Sequence, residues 1–357
     1  MKNERGLLKM LQDLMKYPII QAPMAGGAST PKLAATVSAA GGLGFLAAGY
    51  KTAEEMRNEM EEVRRLTGRP FGVNVFVPSK EVVDESRLTA YREKIQKEAE
   101  SVGASIGEPM SDDDDWVNKI AVLKELRVAV VSFTFGCPES GIIKELQHAG
   151  TLVTVSVTNP TEAQIAVTAG ADILCVQGIE AGGHRASFDN ESESDQALLE
   201  LIKIVKKETN VPIIAAGGLM DGKDIAGVLA AGAVAAQLGT AFLCCPESGA
   251  SPAHKAALHN PRFTDTAITR AFSGRRARGL VNRFLMEYDR VAPAAYPYVH
   301  HMTKQMRKVA GQKGEPELMA LWAGEGYKRS RTLPASVLMG ELVEEMNIES
   351  RRGCHEN

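Results

Sequence analysis

Residues 177–185 read Gln-Gly-Ile-Glu-Ala-Gly-Gly-His-Arg and follow directly on the apolar run 173–176, so a histidine preceded by two glycines stands just past a strand-like segment. Gly182 and Gly183 tolerate φ > 0 and carry no Cβ, which lets a turn press against a flat ring or a phosphate while His184 faces the same space. An imidazole titrates near neutrality and takes a proton from a weak carbon acid, so the stretch suits general-base chemistry. On local grounds alone it is equally a tight loop with an incidental surface histidine, and the rest of the chain decides.

Other residues with chemical reach stand at comparable places. Gly217-Gly218 closes the apolar run 212–218, and Gly239-Thr240 interrupts the run 235–242. Two such turns aim backbone N–H groups and a following helix N-terminus at phosphate oxygens, with the Thr240 hydroxyl as a further donor. Asn74 and Gln177 each offer an amide donor and a carbonyl acceptor, which suits the edge of a flavin ring. Pro23 and Met24, after Ala22, supply rigid backbone and a polarizable side chain for a ring face. With Ala216, Gly182 and Gly183 these residues make up the expected cofactor lining.

What must position them is a set of strands whose ends share one rim. Eight short apolar runs (18–24, 43–49, 71–77, 128–135, 152–158, 173–178, 212–218 and 235–242) alternate with segments of helix length, the pattern of parallel βα units. Eight such units close a (β/α)8, or TIM, barrel, in which ligands meet the carboxyl ends of the strands. Amphipathic stretches at 31–40, 52–66, 139–149, 161–169 and 195–209 are the expected helices. Thr30-Pro31 and Asn159-Pro160 mark starts, and Gly41, Gly150, Gly170 and Gly232 mark stops.

The long connection 78–127, helical over 81–101, is expected as a rim insertion after the third strand. Beyond Phe272 the chain turns basic and glycine-punctuated, then helical from His300. The expected organisation is therefore a barrel over 1–272 and a C-terminal helical extension, or lid, over 273–357.

Composition narrows the function classes. A chain of 357 residues with 44% hydrophobic and 24% charged content and a net charge of -3 has no basic surplus for nucleic acid or an anionic membrane. Cys137, Cys175, Cys244, Cys245 and Cys354 form neither a CxxC nor a regular framework, so no disulfide scaffold or zinc site is expected and a reducing cytoplasm fits. The first sixteen residues lack a signal-peptide apolar core. Residues 225–245 carry no charge over a membrane-spanning length. They are rich in alanine and glycine, whose burial contributes little, and are expected as helix, turn and strand of the barrel wall. The acidic run Asp112–Asp115 is expected as a solvated face or helix N-terminus, and no metal is assigned to it.

Six blocks, in order, resemble the nitronate monooxygenases, formerly called 2-nitropropane dioxygenases. They are residues 21–27, 177–185, 215–222 and 237–243, then Phe272-Ser273-Gly274-Arg275 with Ala277-Arg278-Gly279, then Leu321-Trp322-Ala323-Gly324, together spanning roughly 17–326. The last two blocks look like the bacterial class that oxidises alkyl nitronates, including propionate 3-nitronate, without a nicotinamide. The resemblance implies FMN across the barrel mouth, with its phosphate near Gly217, Gly218, Gly239 and Thr240 and its ring near Met24, Asn74 and Gln177. It further implies His184 as the base for neutral nitroalkanes, Tyr296 against the substrate, O2 as co-substrate, a homodimer, and a role in removing nitro compounds. One departure is Ala186, where the family commonly has glycine, and its methyl narrows the space beside His184. Flavin-dependent enoyl-acyl-carrier-protein reductases and NADH:quinone reductases share the barrel but require NADH. Arg185 favours the monooxygenases, because those reductases tend toward an aliphatic residue there. A barrel that binds a phosphorylated ligand without redox chemistry is the remaining alternative.

Overall fold

The computed structural model describes residues 4–78, 83–193 and 195–355. In chain order the strands are β1 (Ile19–Gln21), β2 (Phe45–Ala47), β3 (Gly72–Phe76), β4 (Val130–Thr134), β5 (Leu152–Val157), β6 (Ile173–Gln177), β7 (Gly183–His184), β8 (Ile213–Ala216), β9 (Ala235–Leu238), β10 (Thr266–Thr269) and β11 (Ala277–Leu280). All but β7, β10 and β11 form one parallel sheet in the order β1-β9-β8-β6-β5-β4-β3-β2. A parallel bridge between Ile20 and Leu43 brings its two ends together, with Gln21 N donating to Leu43 O at 3.0 Å and Leu43 N to Ile19 O at 3.0 Å. This is the (β/α)8 barrel that the eight apolar runs predict.

Two-residue periodicity sorts the strand side chains. Ile20, Phe45, Val130, Leu152, Ile173 and Ile214 fill the barrel interior, whereas Val153, Val155 and Val157 face the helices. Each such aliphatic side chain, fully buried, contributes roughly 1.5–3 kcal/mol. Helix Glu4–Leu14 packs Leu7 and Leu11 against the interior cluster, while the cavity described below opens at the strands' carboxyl ends.

Local signals set the helices. Thr30 accepts from Leu33 N at 3.0 Å ahead of Pro31, Thr52 and Glu55 form a reciprocal capping box, and Asn159 accepts from Glu162 N at 2.9 Å. Such caps are worth about 1 kcal/mol each. Helix Ala335–His355 packs against helices Gly222–Ala230 and Pro31–Ala39, so the end of the chain completes the ring of wall helices. Helix Trp116–Leu126 lies between Ala53–Leu66 and Ser140–His148 on the same wall, and Glu85–Ser101 packs instead on Tyr298–Lys313 above the rim. Residues 81 and 82 of the expected 81–101 helix lie outside the described residues.

Two expectations about charge and hydropathy resolve here. Residues 225–245 divide among helix Gly222–Ala230, β9 and helix Thr240–Leu243, and no described helix is long and apolar enough to cross a membrane. Asp112–Asp115 does lead into a helix, but it is not merely a solvated face. Asp114 Oδ1 accepts from Tyr50 N at 2.8 Å, Asp115 Oδ2 accepts from Ala53 N at 2.6 Å, and the fully buried Lys119 pairs with Asp114 at 2.8 Å. The run pins the loop after β2.

Candidate active site

A cavity of about 1350 Å³ occupies the carboxyl rim, and Ala22, Pro23, Met24, Asn74, Gln177, Gly182, Gly183, His184, Ala216, Gly217, Gly218, Gly239 and Thr240 all line it. Tyr296 is not part of that lining; its ring stands 6.1 Å from the His184 ring, in the layer behind.

His184 is held from several sides. Its short strand β7 leaves the barrel and pairs antiparallel with β11, matching His184 with Ala277 and Gly183 with Arg278. Gln177 Nε2 donates to the His184 carbonyl at 3.1 Å, and His184 Nε2 lies 2.9 Å from Ser273 Oγ. The Ser273 hydroxyl also reaches Arg275 O at 3.2 Å, and with its hydrogen there it accepts from His184 Nε2–H in the tautomer that carries the lone pair on Nδ1. Burial, followed by the charges of Arg275 and Arg307, pushes this imidazole down to about 3. His184 is therefore neutral at physiological pH and walled by Phe135, Tyr296 and Trp322.

Backbone strain collects at the same place. Phe135, just past β4, has φ +75, and Tyr50, past β2, has φ +69, a region that aromatic residues seldom enter. The Phe135 ring carries the Arg275 guanidinium 4.0 Å from its centroid, which offsets part of that cost and fixes the cation near His184.

The two amides are oriented by their partners. Asn74 Nδ2 donates to Ser132 Oγ at 2.8 Å and Thr134 Oγ1 at 2.9 Å, so its carbonyl oxygen is left for the cavity. Gln177 Oε1 accepts from Arg185 Nη1 and from Ala186 N, both at 2.9 Å, so its remaining N–H is left for the cavity. Arg185 is 1% exposed and also donates to Gly178 O at 2.6 Å. It fixes Gln177 from behind. Ala186 is buried and lines the cavity beside His184, where its methyl takes up space.

At the glycine turns, Gly217 has φ +142 and Gly218 φ +68, and a Cβ on Gly218 would stand 2.9 Å from Glu180 Cβ. Thr240 Oγ1 accepts from Gly324 N at 3.0 Å, which leaves its hydrogen free to donate. The following helix contributes less than the sequence suggests. Asp221 Oδ1 accepts from Asp224 N at 3.0 Å, Asp224 Oδ2 from Met220 N at 2.8 Å, and Glu345 Oε2 from Gly222 N at 2.8 Å. Those amides are occupied, so a phosphate has the glycine turns and Thr240 to bind.

Sequence reasoning missed Ser273, Tyr50, His300 and Arg307. The Phe272-Ser273-Gly274-Arg275 block was visible, but the role of Ser273 depends on a partner 89 residues away. Among the described lining residues there is no Asp or Glu, whereas Lys51, Lys304, Arg307, Lys308 and Lys313 all contribute. No group of three His, Cys, Asp or Glu side chains among the described residues could hold a metal ion.

A (β/α)8 barrel whose rim gathers a histidine, two oriented amides and two glycine turns around one cavity has the layout of a barrel enzyme acting on a small molecule. The nitronate monooxygenase family model matches residues 9–346. A nitronate monooxygenase of Pseudomonas aeruginosa is 42% identical over 345 residues, covering 93% of this chain and 97% of that protein. The crystal structure of a nitroalkane oxidase from Streptomyces ansochromogenes superposes with a TM-score of 0.94 at 50% identity, covering 96% and 99% of the two chains. FabK from Thermotoga maritima superposes with a TM-score of 0.75 at 27% identity, covering 97% and 98%. The chain belongs to the nitronate monooxygenase family and is an oxidoreductase.

Proposed function

We propose that this protein catalyses the FMN-dependent oxidation of alkyl nitronates by O2, giving carbonyl compounds and nitrite or nitrate. The observation that carries this reading is the neutral His184 in a cavity lined by cations and, among its described lining, by no carboxylate. Such a chamber attracts an anion and does not protonate it.

The residues fit FMN. Asn74 offers an acceptor and Gln177 a donor to a ring edge, Pro23 and Met24 offer a face, and Gly217, Gly218, Gly239 and Thr240 offer a phosphate cradle that a Cβ at 218 would crowd. Bound FMN supplies the chemistry of accepting electrons from the substrate and passing them to oxygen. The chain itself holds the nitronate, excludes water with the Phe135, Tyr296 and Trp322 rings, and positions His184 Nδ1. Tyr296 serves by packing against His184 and Phe135.

With a neutral nitroalkane, Nδ1 takes the α-proton. An imidazole held near 3 is a weak base, and only the negative charge developing beside it raises its proton affinity during transfer. The preformed nitronate needs no such step and is the better substrate. The sign of the shift gives a pH prediction. Lowering the value from 6.5 to about 3 keeps the basic form as pH falls through 6.5, so kcat/KM for a neutral nitroalkane should show no His184-linked loss between pH 8 and 5. A break near 6.5 in that profile would show an imidazole that is not desolvated.

Oxygen uptake by the FMN-loaded protein tests the reading. Rapid uptake is expected with propionate 3-nitronate alone, without NADH. Silence there, together with NADH oxidation in the presence of a quinone or an enoyl thioester, would overturn it in favour of a reductase.

A further inference from the structure

Part of the cavity wall consists of donors with nothing to donate to. Helix Tyr298–Lys313 brings His300, Lys304, Arg307 and Lys308 to the cavity, a spacing that places them on one helix face. Tyr50 stacks on His300, with ring centroids 4.0 Å apart and 4° between planes. Arg307 donates from Nε to Thr303 Oγ1 at 3.0 Å, and from Nη2 to His300 O and His300 Nδ1, both at 3.2 Å. A guanidinium only donates, so His300 Nδ1 carries the lone pair and the neutral ring bears its hydrogen on Nε2. That buried N–H has no partner, and neither has the buried Tyr50 hydroxyl, whose neighbour Tyr296 stands outside normal hydrogen-bond geometry. Among the described residues no Asp or Glu forms an ion pair with Arg307, and its Nη1 has no protein acceptor.

Buried donors without acceptors are rare in folded proteins, and two on one wall, beside the half-buried Arg307 guanidinium, imply that the acceptor belongs to a ligand. The fold also holds Tyr50 in place at a cost: its φ is +69, and its amide is tied to Asp114, which the buried Lys119 pins. Tyr296 neighbours both this wall and the reacting centre, its ring centroid 6.4 Å from that of His300 and 6.1 Å from that of His184.

We propose that Tyr50, His300 and Arg307 form a second anion subsite that binds the carboxylate of the substrate, and so select nitronates bearing a carboxylate over simple alkyl nitronates. The assignment rests on the nitronate reading above. A carboxylate is acceptor-only, with two oxygens to match a guanidinium N–H, a phenol O–H and an imidazole N–H. Lys304 and Lys308, exposed and outside any ion pair among the described residues, draw the dianion toward the mouth.

The test compares propionate 3-nitronate with propyl-1-nitronate, in which a methyl replaces the carboxylate, on FMN-loaded wild type, Arg307→Met and Tyr50→Phe. Arg307→Met is expected to raise KM for propionate 3-nitronate roughly 10- to 100-fold while moving that for propyl-1-nitronate less than about 3-fold. Tyr50→Phe, which keeps the ring stack, should shift the ratio in the same direction by a smaller factor. Equal rises on both substrates, or no rise on either, would overturn the carboxylate assignment. Thermal melting with succinate, an unreactive dicarboxylate of matching length, separates this proposal from the activity. Succinate should raise the Tm of wild type but not of Arg307→Met. That result in a protein inert toward every nitronate would leave the subsite standing and remove the proposed reaction, whereas no succinate effect on wild type would count against the subsite.

Discussion

Replacing His184 by asparagine is expected to lower kcat/KM for neutral nitroalkanes by roughly 10²–10⁴-fold while changing that for preformed nitronates less than about tenfold. The substitution removes the Nδ1 lone pair, which only the neutral substrate needs, and keeps a polar side chain within reach of Ser273. The β7–β11 pairing and the Gln177 contact engage only the backbone of residue 184, so the cavity wall stays in place. Stopped-flow mixing with each substrate form checks this, with the flavin absorbance reporting cofactor retention. Equal loss on both forms would remove His184 as the proton-abstracting base and make it a group that positions the anion.

The second large effect is expected at the phosphate turn. Gly218→Val should weaken FMN binding at least about 100-fold, because the left-handed backbone at φ +68 costs an L-residue roughly 1–2 kcal/mol and its Cβ would stand 2.9 Å from Glu180 Cβ. Glu180 is not free to move aside. Its two carboxylate oxygens each accept from Leu198 N at 3.1 Å, at the start of helix Leu198–Glu208, and its carbonyl accepts from Glu325 N at 3.1 Å. The turn itself must shift, and it carries the amides expected to face the phosphate. Gly183→Ala is the control. Its φ of +75 brings the same backbone cost, but a Cβ there meets nothing within 4 Å, so FMN affinity should fall only a few-fold. Fluorescence titration of the apoprotein with FMN, beside circular dichroism, measures both. Wild-type affinity in Gly218→Val would place the phosphate elsewhere.

Much of the architecture was legible because barrel strands, buried on both faces, read as short continuous runs of Val, Ile, Leu and Ala, and because caps such as Thr52 with Glu55 act within one turn of helix. The run 18–24 proved longer than β1, since the barrel pairing ends near Gln21 and residues 22–24 become rim. The Asp112–Asp115 run leads into a helix, one of its two expected settings, but its hold on the buried Lys119 and on the amides of Tyr50 and Ala53 depends on contacts the run itself does not reveal. Arg185 lies near its partner Gln177 in sequence, but only burial of the turn makes the contact.

The sequence by itself determined the eight-unit barrel, the rim that holds the cavity, and the identity of His184, Asn74, Gln177 and the two glycine turns as residues lining it. Apolar periodicity, glycine and proline act over a few residues and need no distant partner. The tertiary structure decided that Ser273 is the partner of His184 Nε2. It also decided how far burial and then two arginines depress that imidazole, and that Tyr50 meets His300 across 250 positions of chain. Those properties depend on desolvation and on pairs of polar groups that closure of the barrel brings together, and neither is encoded in the spacing of residues along the chain.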